Sequence, residues 1–198
     1  VMADLIDEKK LVLKFFKSID NAKCENLIDT ISKYTSDDFK MKCTHPFNEL
    51  SGVKQVADNL WVPIKNSFEP IQRRMDIFYA GINSLDNNEG KWVTSMGHFM
   101  GVFKKPFLGI QPNNKSILLR YAEFYKVENN KITEGAIFLD IINFMQQLGL
   151  SIIPESTGLV CVTPGPMNHK GLKFDHSDNN ESQKTLELIH RMRDRLVK

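Results

Sequence analysis

The feature that most constrains the fold is a change of hydrophobic period near residue 71, from helical spacing before it to strand alternation after it. Val12, Phe15, Phe16 and Ile19, then Cys24, Leu27, Ile28 and Ile31, follow the i, i+3, i+4, i+7 stripe of amphipathic helices. Asp20-Asn21 between them bond readily to nearby backbone and predict a break. A short strand is expected over Phe39 to Thr44, ending where His45 precedes Pro46. From Ser51-Gly52 a third apolar stripe, Val53, Val56, Ala57, Leu60, Trp61, Ile64 and Phe68, predicts a helix that Pro63 kinks or splits.

Beyond that point the period is two. Ile71 to Ile82 and Lys91 to Phe103 read as long strands around an Asn87-Asn88-Glu89-Gly90 turn. A loop carrying Pro106, Gly109 and Pro112 leads to a hairpin, Ser116 to Val127 and Ile132 to Leu139, turning through Asn129-Asn130. Ile141 to Leu148 is helical again and stops at Gly149. Helices followed by about four long strands predict an α+β fold with a curved antiparallel sheet, the helices covering its concave side. Such a cone leaves a blind end suited to a small apolar molecule.

Pro154, Gly158, Pro164, Gly165, Pro166 and Gly171 make 151–180 an expected extended linker, dividing a domain at 1–150 from a helix at 181–198. That helix has Leu186, Ile189, Met192 and Leu196 as an apolar edge, which suits its own domain or a partner.

Charge excludes more than it suggests. A formal charge of +2, from 26 basic and 24 acidic residues, supplies no field for nucleic acid or an anionic membrane. With neither a signal-type N-terminus nor an 18-residue apolar run, the expectation is a cytoplasmic protein. Cys24, Cys43 and Cys161 are odd in number and lack CxxC spacing, so reduced thiols are expected rather than a disulfide framework or zinc. No GxGxxG, Walker loop, GxSxG or HExxH is present, and the histidines are not spaced for a metal.

Three stretches carry a family resemblance. Residues 118–150 (LLRYAEFYKVENNKITEGAIFLDIINFMQQLGL) resemble the closing hairpin and D…QLG helix of the SnoaL-like polyketide cyclase family, within the nuclear-transport-factor-2-like superfamily. Residues 45–74 resemble its pocket-closing helical segment, and 91–112 its central strand and loop. The resemblance spans about residues 10 to 153. It implies a curved sheet of four to six strands, frequent dimerisation through that sheet, often no metal or organic cofactor, and in characterised members ring closure by aldol chemistry. Residues 164–196 resemble the join between two such domains in duplicated relatives.

Aldol cyclisation needs a base for an α-proton and a donor for the developing oxyanion. The family's acid/base aspartate falls near Asp140 and Glu134, and the sequence does not choose between them. A simple two-residue hairpin puts Tyr121, Glu123 and Tyr125 on one face with Glu134, Phe138 and Asp140; a bulge would swap the faces. Asp140 also stands where an aspartate caps a helix, and Glu123 and Glu134 also suit a solvated outer face. His98, mid-strand between glycines, is either a core histidine or a third acid/base. Substrate contacts are expected from Trp61, Tyr121, Glu123, Phe138 and His45, and from Arg120 if the opposite face lines the cavity. Three functions stay open: a cofactor-free cyclase or isomerase acting on an apolar carbonyl compound, a non-catalytic binder of a small apolar ligand, and a dimeric assembly module.

Overall fold

The computed structural model describes residues 5–83, 90–150, 152–154, 165–166, 168–176 and 179–196. The turn read at 87–90, Gly90 apart, and most of the linker, with Cys161, lie outside them. Helix α1 (Ile6–Asn21) ends at the expected break, and a 3-10 turn (Cys24–Asn26) leads into α2 (Leu27–Ser32). Strands β1 (Thr35–Cys43) and β2 (Glu49–Ser51) follow. The third apolar stripe is split as Pro63 requires. Short α3 (Gly52–Val56) passes through a π-helical turn (Ala57–Trp61) into α4 (Val62–Ser67), whose first turn accepts the proline. Phe68, expected on that helix, instead opens β3 (Phe68–Ile82) and is buried there. Strands β4 (Lys91–Phe103), β5 (Ser116–Glu128) and β6 (Lys131–Leu139) and helix α5 (Ile141–Gln147) complete the domain.

The six strands form one curved, open sheet in the order β2-β1-β6-β5-β4-β3. It is not wholly antiparallel. β1 pairs parallel with β6, from Thr35 opposite Ile132 to Cys43 opposite Ile137, so the expected antiparallel sheet is corrected at this one seam. The early strand is also longer than expected, because polar Ser36-Asp37-Asp38 at its start give no alternation signal.

Asn129 and Asn130 both have positive φ, the geometry of a two-residue hairpin turn. A bulge then interrupts the pair: Val127 is opposite Ile132, but Lys126 is opposite Glu134, leaving Thr133 as the extra residue. Every residue from Glu134 onward therefore changes face. Tyr121, Glu123 and Tyr125 share the buried concave side with Leu139, Ile137 and Gly135. Glu134 and Phe138 lie on the convex side with Arg120, Phe124 and Lys126. The shared face expected for Tyr121, Glu123, Glu134, Phe138 and Asp140 is thus corrected.

The core fills the cone. Val12, Phe15, Phe16 and Ile19 of α1, Leu27 and Ile31 of α2, and Trp61 and Ile64 pack against Phe78, Val93, Phe99, Leu119, Tyr121 and Tyr125 of the sheet. The tail returns to the free edge of β3. Phe78 N–H donates to Gly171 O (2.8 Å), Lys173 N–H donates to Phe78 O (2.7 Å), and the Phe174 ring lies 5.3 Å from that of Phe78. This strap covers the middle of an otherwise open edge. Helix α6 (Asn179–Leu196) leaves Leu188, Ile189, Met192 and Leu196 exposed.

Candidate functional site

Strand alternation turns one charged side chain from each of two strands into the cone. Arg73 of β3, opposite Phe99, has a side chain only 3% exposed; Glu123 of β5, opposite Ser95, has one that is 0% exposed. Arg73 Nη1 donates to Glu123 Oε2, and its Nε donates to Asp20 Oδ2 at the end of α1 (3.0 Å). The guanidinium is walled by rings, 4.1 Å from the centre of Phe16, 4.8 Å from Phe99 and 5.3 Å from Tyr121. Tyr125 Oη donates to Glu123 Oε1 (3.3 Å), while Tyr121 and Ser95 hydroxyls share a bond of 3.1 Å.

Loss of water pushes the Glu123 carboxyl up to about 7, against the pull of Arg73. Asp20 supplies Arg73 with a second counter-charge, so the cation does not depend on Glu123 alone. Burial acts to lower the Arg73 pKa, but Glu123 and Asp20 outweigh it and hold the guanidinium more firmly charged than usual. Burial also lifts the Tyr121 phenol to about 12, so it remains a hydrogen-bond donor at neutral pH.

Two buried donors in this cluster have no acceptor among the described residues: Arg73 Nη2 and Trp61 Nε1. Both residues border a cleft lined also by Ile19, Asp20, Ile64, Ile71 and Phe99. Its volume is about 10 Å³, scarcely enough for one water. The roomy blind pocket expected from the sequence is therefore a packed interior with a narrow entrance.

The candidate residues are divided between two faces. Trp61, Tyr121 and Glu123 meet inside the cone. Glu134 is on the convex face, bonded to Lys126 (3.2 Å). Asp140 caps α5, accepting from Asn143 N–H (2.9 Å). His98 is on the convex face, its Nδ1 3.1 Å from Asp76 Oδ2. Arg120 lies across the strand pair from His98, Phe138 is 54% exposed, and His45 sits in the exposed turn between β1 and β2. The proposed trio of Asp140, Glu134 and His98 is not brought together. Arg73, Asp20 and Ser95 were missed as site residues by the sequence reading, which did place Tyr125 on one face with Tyr121 and Glu123. One signal pointed towards the first: adjacent Arg73-Arg74 in an alternating strand must send one guanidinium inward.

Among the described residues, no group of three or more His, Cys, Asp or Glu could hold a metal, and no helix is long and apolar enough to cross a membrane. Cys24 and Cys43 are free thiols, and burial pushes Cys43 up to about 12, far from thiolate chemistry.

A curved, open sheet wrapped on helices is the nuclear-transport-factor-2-like fold, and solved structures agree. A protein described as a SnoaL-like polyketide cyclase from Jannaschia sp. CCS1 superposes with a TM-score of 0.56 at 15% identity, over 76% of this chain and 95% of its own. AclR of Streptomyces galilaeus, described as a hydroxylase, gives 0.58 at 15% identity over 95% and 96%. IdmH of Streptomyces antibioticus, described as a polyketide cyclase, gives 0.55 at 11% over 71% and 97%. Residues 82–148, roughly a third of the chain, match the family model for SnoaL-like polyketide cyclase, so the resemblance read from the sequence holds there and in the fold. No curated protein matches.

Proposed function

We propose that this chain is a SnoaL-like small-molecule protein in which Glu123 performs cofactor-free proton transfer on a compact carbonyl compound. The observation that carries this reading is the pair of buried N–H donors without an acceptor among the described residues, Trp61 Nε1 and Arg73 Nη2, beside a carboxyl that burial pushes up to about 7. A ligand oxygen entering between α1 and the π-helical turn would accept from both donors, and those bonds would strengthen as negative charge develops on it. Glu123, with its pKa close to the working pH, is suited to take and return the α-proton. Tyr125 and Tyr121 remain protonated around it. Admission requires Trp61 to move, and it rides on a π-helical turn, a form often found at functional sites.

A second reading is an assembly module. The convex face exposes Met96, Leu118 and Phe138, an apolar surface that a second copy of the chain would cover in a homodimer.

One experiment separates them: a thermal-shift and mass-spectrometric screen of small aromatic, fatty and terpenoid carbonyl compounds, with light scattering on the same samples. A compound that raises the melting point and is converted by wild type, but bound without conversion by Glu123→Gln, supports the enzyme. Conversion undiminished in Glu123→Gln overturns it. A dimer that binds none of the panel replaces it with the assembly reading.

A further inference from the structure

The two interior donors without an acceptor come from different elements, Trp61 Nε1 from the π-helical turn and Arg73 Nη2 from β3, yet both residues wall one cleft. Its volume of about 10 Å³ suits a ligand of about a single atom. A water there would bring two protons of its own. Asp20 is the one side-chain acceptor in the lining, and its carboxylate is already held by Arg73 Nε; Ile19, Ile64, Ile71 and Phe99 accept nothing. A monatomic anion accepts from both donors and has no proton to place.

Charge points the same way. Lys65 of α4 lines the cleft too, its Nζ donating to Ile19 O (2.9 Å) and Asp20 O (3.0 Å) in the last turn of α1. Among the described residues, the charged side chains around the cleft and its carboxyl are therefore Arg73 and Lys65 against Asp20 and Glu123. Tyr121, Tyr125 and, facing Tyr125, Cys43 are all raised by burial and stay neutral. With Glu123 ionised the charges cancel. With Glu123 protonated one positive charge is left over, against the rings of Phe16 and Phe99. An uncompensated charge sealed from water is costly, and one monovalent anion cancels it. Burial places the Glu123 carboxyl at about 7, so the protonated form is populated near neutrality.

We infer that the cleft between Trp61 and Arg73 binds one monatomic monovalent anion, chloride being the common example, together with a proton on Glu123. The proton comes from solvent and no covalent bond of the chain changes. Sulfate, phosphate and carboxylates are too large for the cleft. The anion uses the donors that the proposed reaction offers to its substrate oxygen, so the two exclude each other. That exclusion presupposes the proton-transfer reading, whereas anion binding stands without it.

The test is a chloride titration of the full chain against sulfate at constant ionic strength, at pH 6 and pH 8.5, by thermal shift and by chlorine-35 NMR line broadening. Saturable chloride binding is expected at pH 6, weaker by tenfold or more at pH 8.5, where Glu123 is ionised. Glu123→Gln, neutral throughout, should bind equally at both. Trp61→Phe keeps a ring and removes the donor, and should weaken binding tenfold or more at pH 6. The chain has two tryptophans, so the Trp61 indole N–H resonance is assigned in wild type by the signal that Trp92→Phe leaves. It should shift with the same midpoint, a check that does not need Trp61→Phe to fold. No saturation at pH 6, an equal response to sulfate, or an indole resonance that chloride does not move would overturn the site and leave an ordered water only. Conversion in the compound screen without chloride binding would overturn this inference and leave the proton-transfer reading standing. Chloride binding without conversion would do the reverse.

Discussion

Arg73 is held by two carboxylates and a cage of rings, and among the described residues Glu123 has no other cation beside it. Taking the cation away leaves a carboxyl sealed from water, so Arg73→Met is expected to cost about 3–5 kcal/mol in urea unfolding. The double replacement Arg73→Met/Glu123→Leu removes both charges and should recover most of that loss. If the double variant is no better than the single one, packing against Phe16 and Phe99 rather than charge sets the cost. Glu123 was legible as a candidate because it stands among apolar and aromatic neighbours in a clear strand. Arg73 was not, since period two says that one of two adjacent arginines turns inward but not which. The bulge at Asp76 further along the strand blurs the alternation that would have decided it.

At the scale of elements, most boundaries followed from local chemistry: the Asp20-Asn21 break, the split at Pro63, the Asn129-Asn130 turn. The error in which face carries the expected site came from a single inserted residue. Thr133 carries no bulge signature, yet it moved Glu134 and Phe138 to the opposite face and with them the expected site. Asp140 shows how a motif can be read in two ways. Its carboxylate bonds Asn143 N–H at the start of α5, and that helix closes the base of the cone through Phe144, which packs on Phe68, Phe103 and Phe107. Asp140→Ala is expected to cost about 1 kcal/mol, a fall of about 2–4 °C in Tm, while Asp140→Asn should cost less. Any conversion found in the compound screen should survive Asp140→Asn at near wild-type rate; its loss there would return Asp140 to the chemistry.

For the whole molecule, the order of helices before strands sufficed for the α+β cone and for the SnoaL-like resemblance, because both rest on long periodic segments. Neither the parallel β1–β6 seam nor the packed interior was legible. The first depends on which strands become neighbours across about ninety residues of chain, and the second on how large side chains from α1, the π-helical turn and three strands share one volume. Against a free carboxyl near 4.5, a folded-state value of about 7 means that the folded chain holds a proton that the unfolded chain has lost. Stability from this group is full below about 4.5, declines as pH rises towards 7, and is gone above it. The decline is on the order of 3 kcal/mol and should be absent in Glu123→Gln. The most direct test is a carbon-13 NMR titration of the glutamate side chains, with Glu123 assigned by the resonance that Glu123→Gln removes. A midpoint near 7 is the expected result. A midpoint below about 5 would mean that Arg73 keeps Glu123 ionised throughout, and the proton-transfer account would fail.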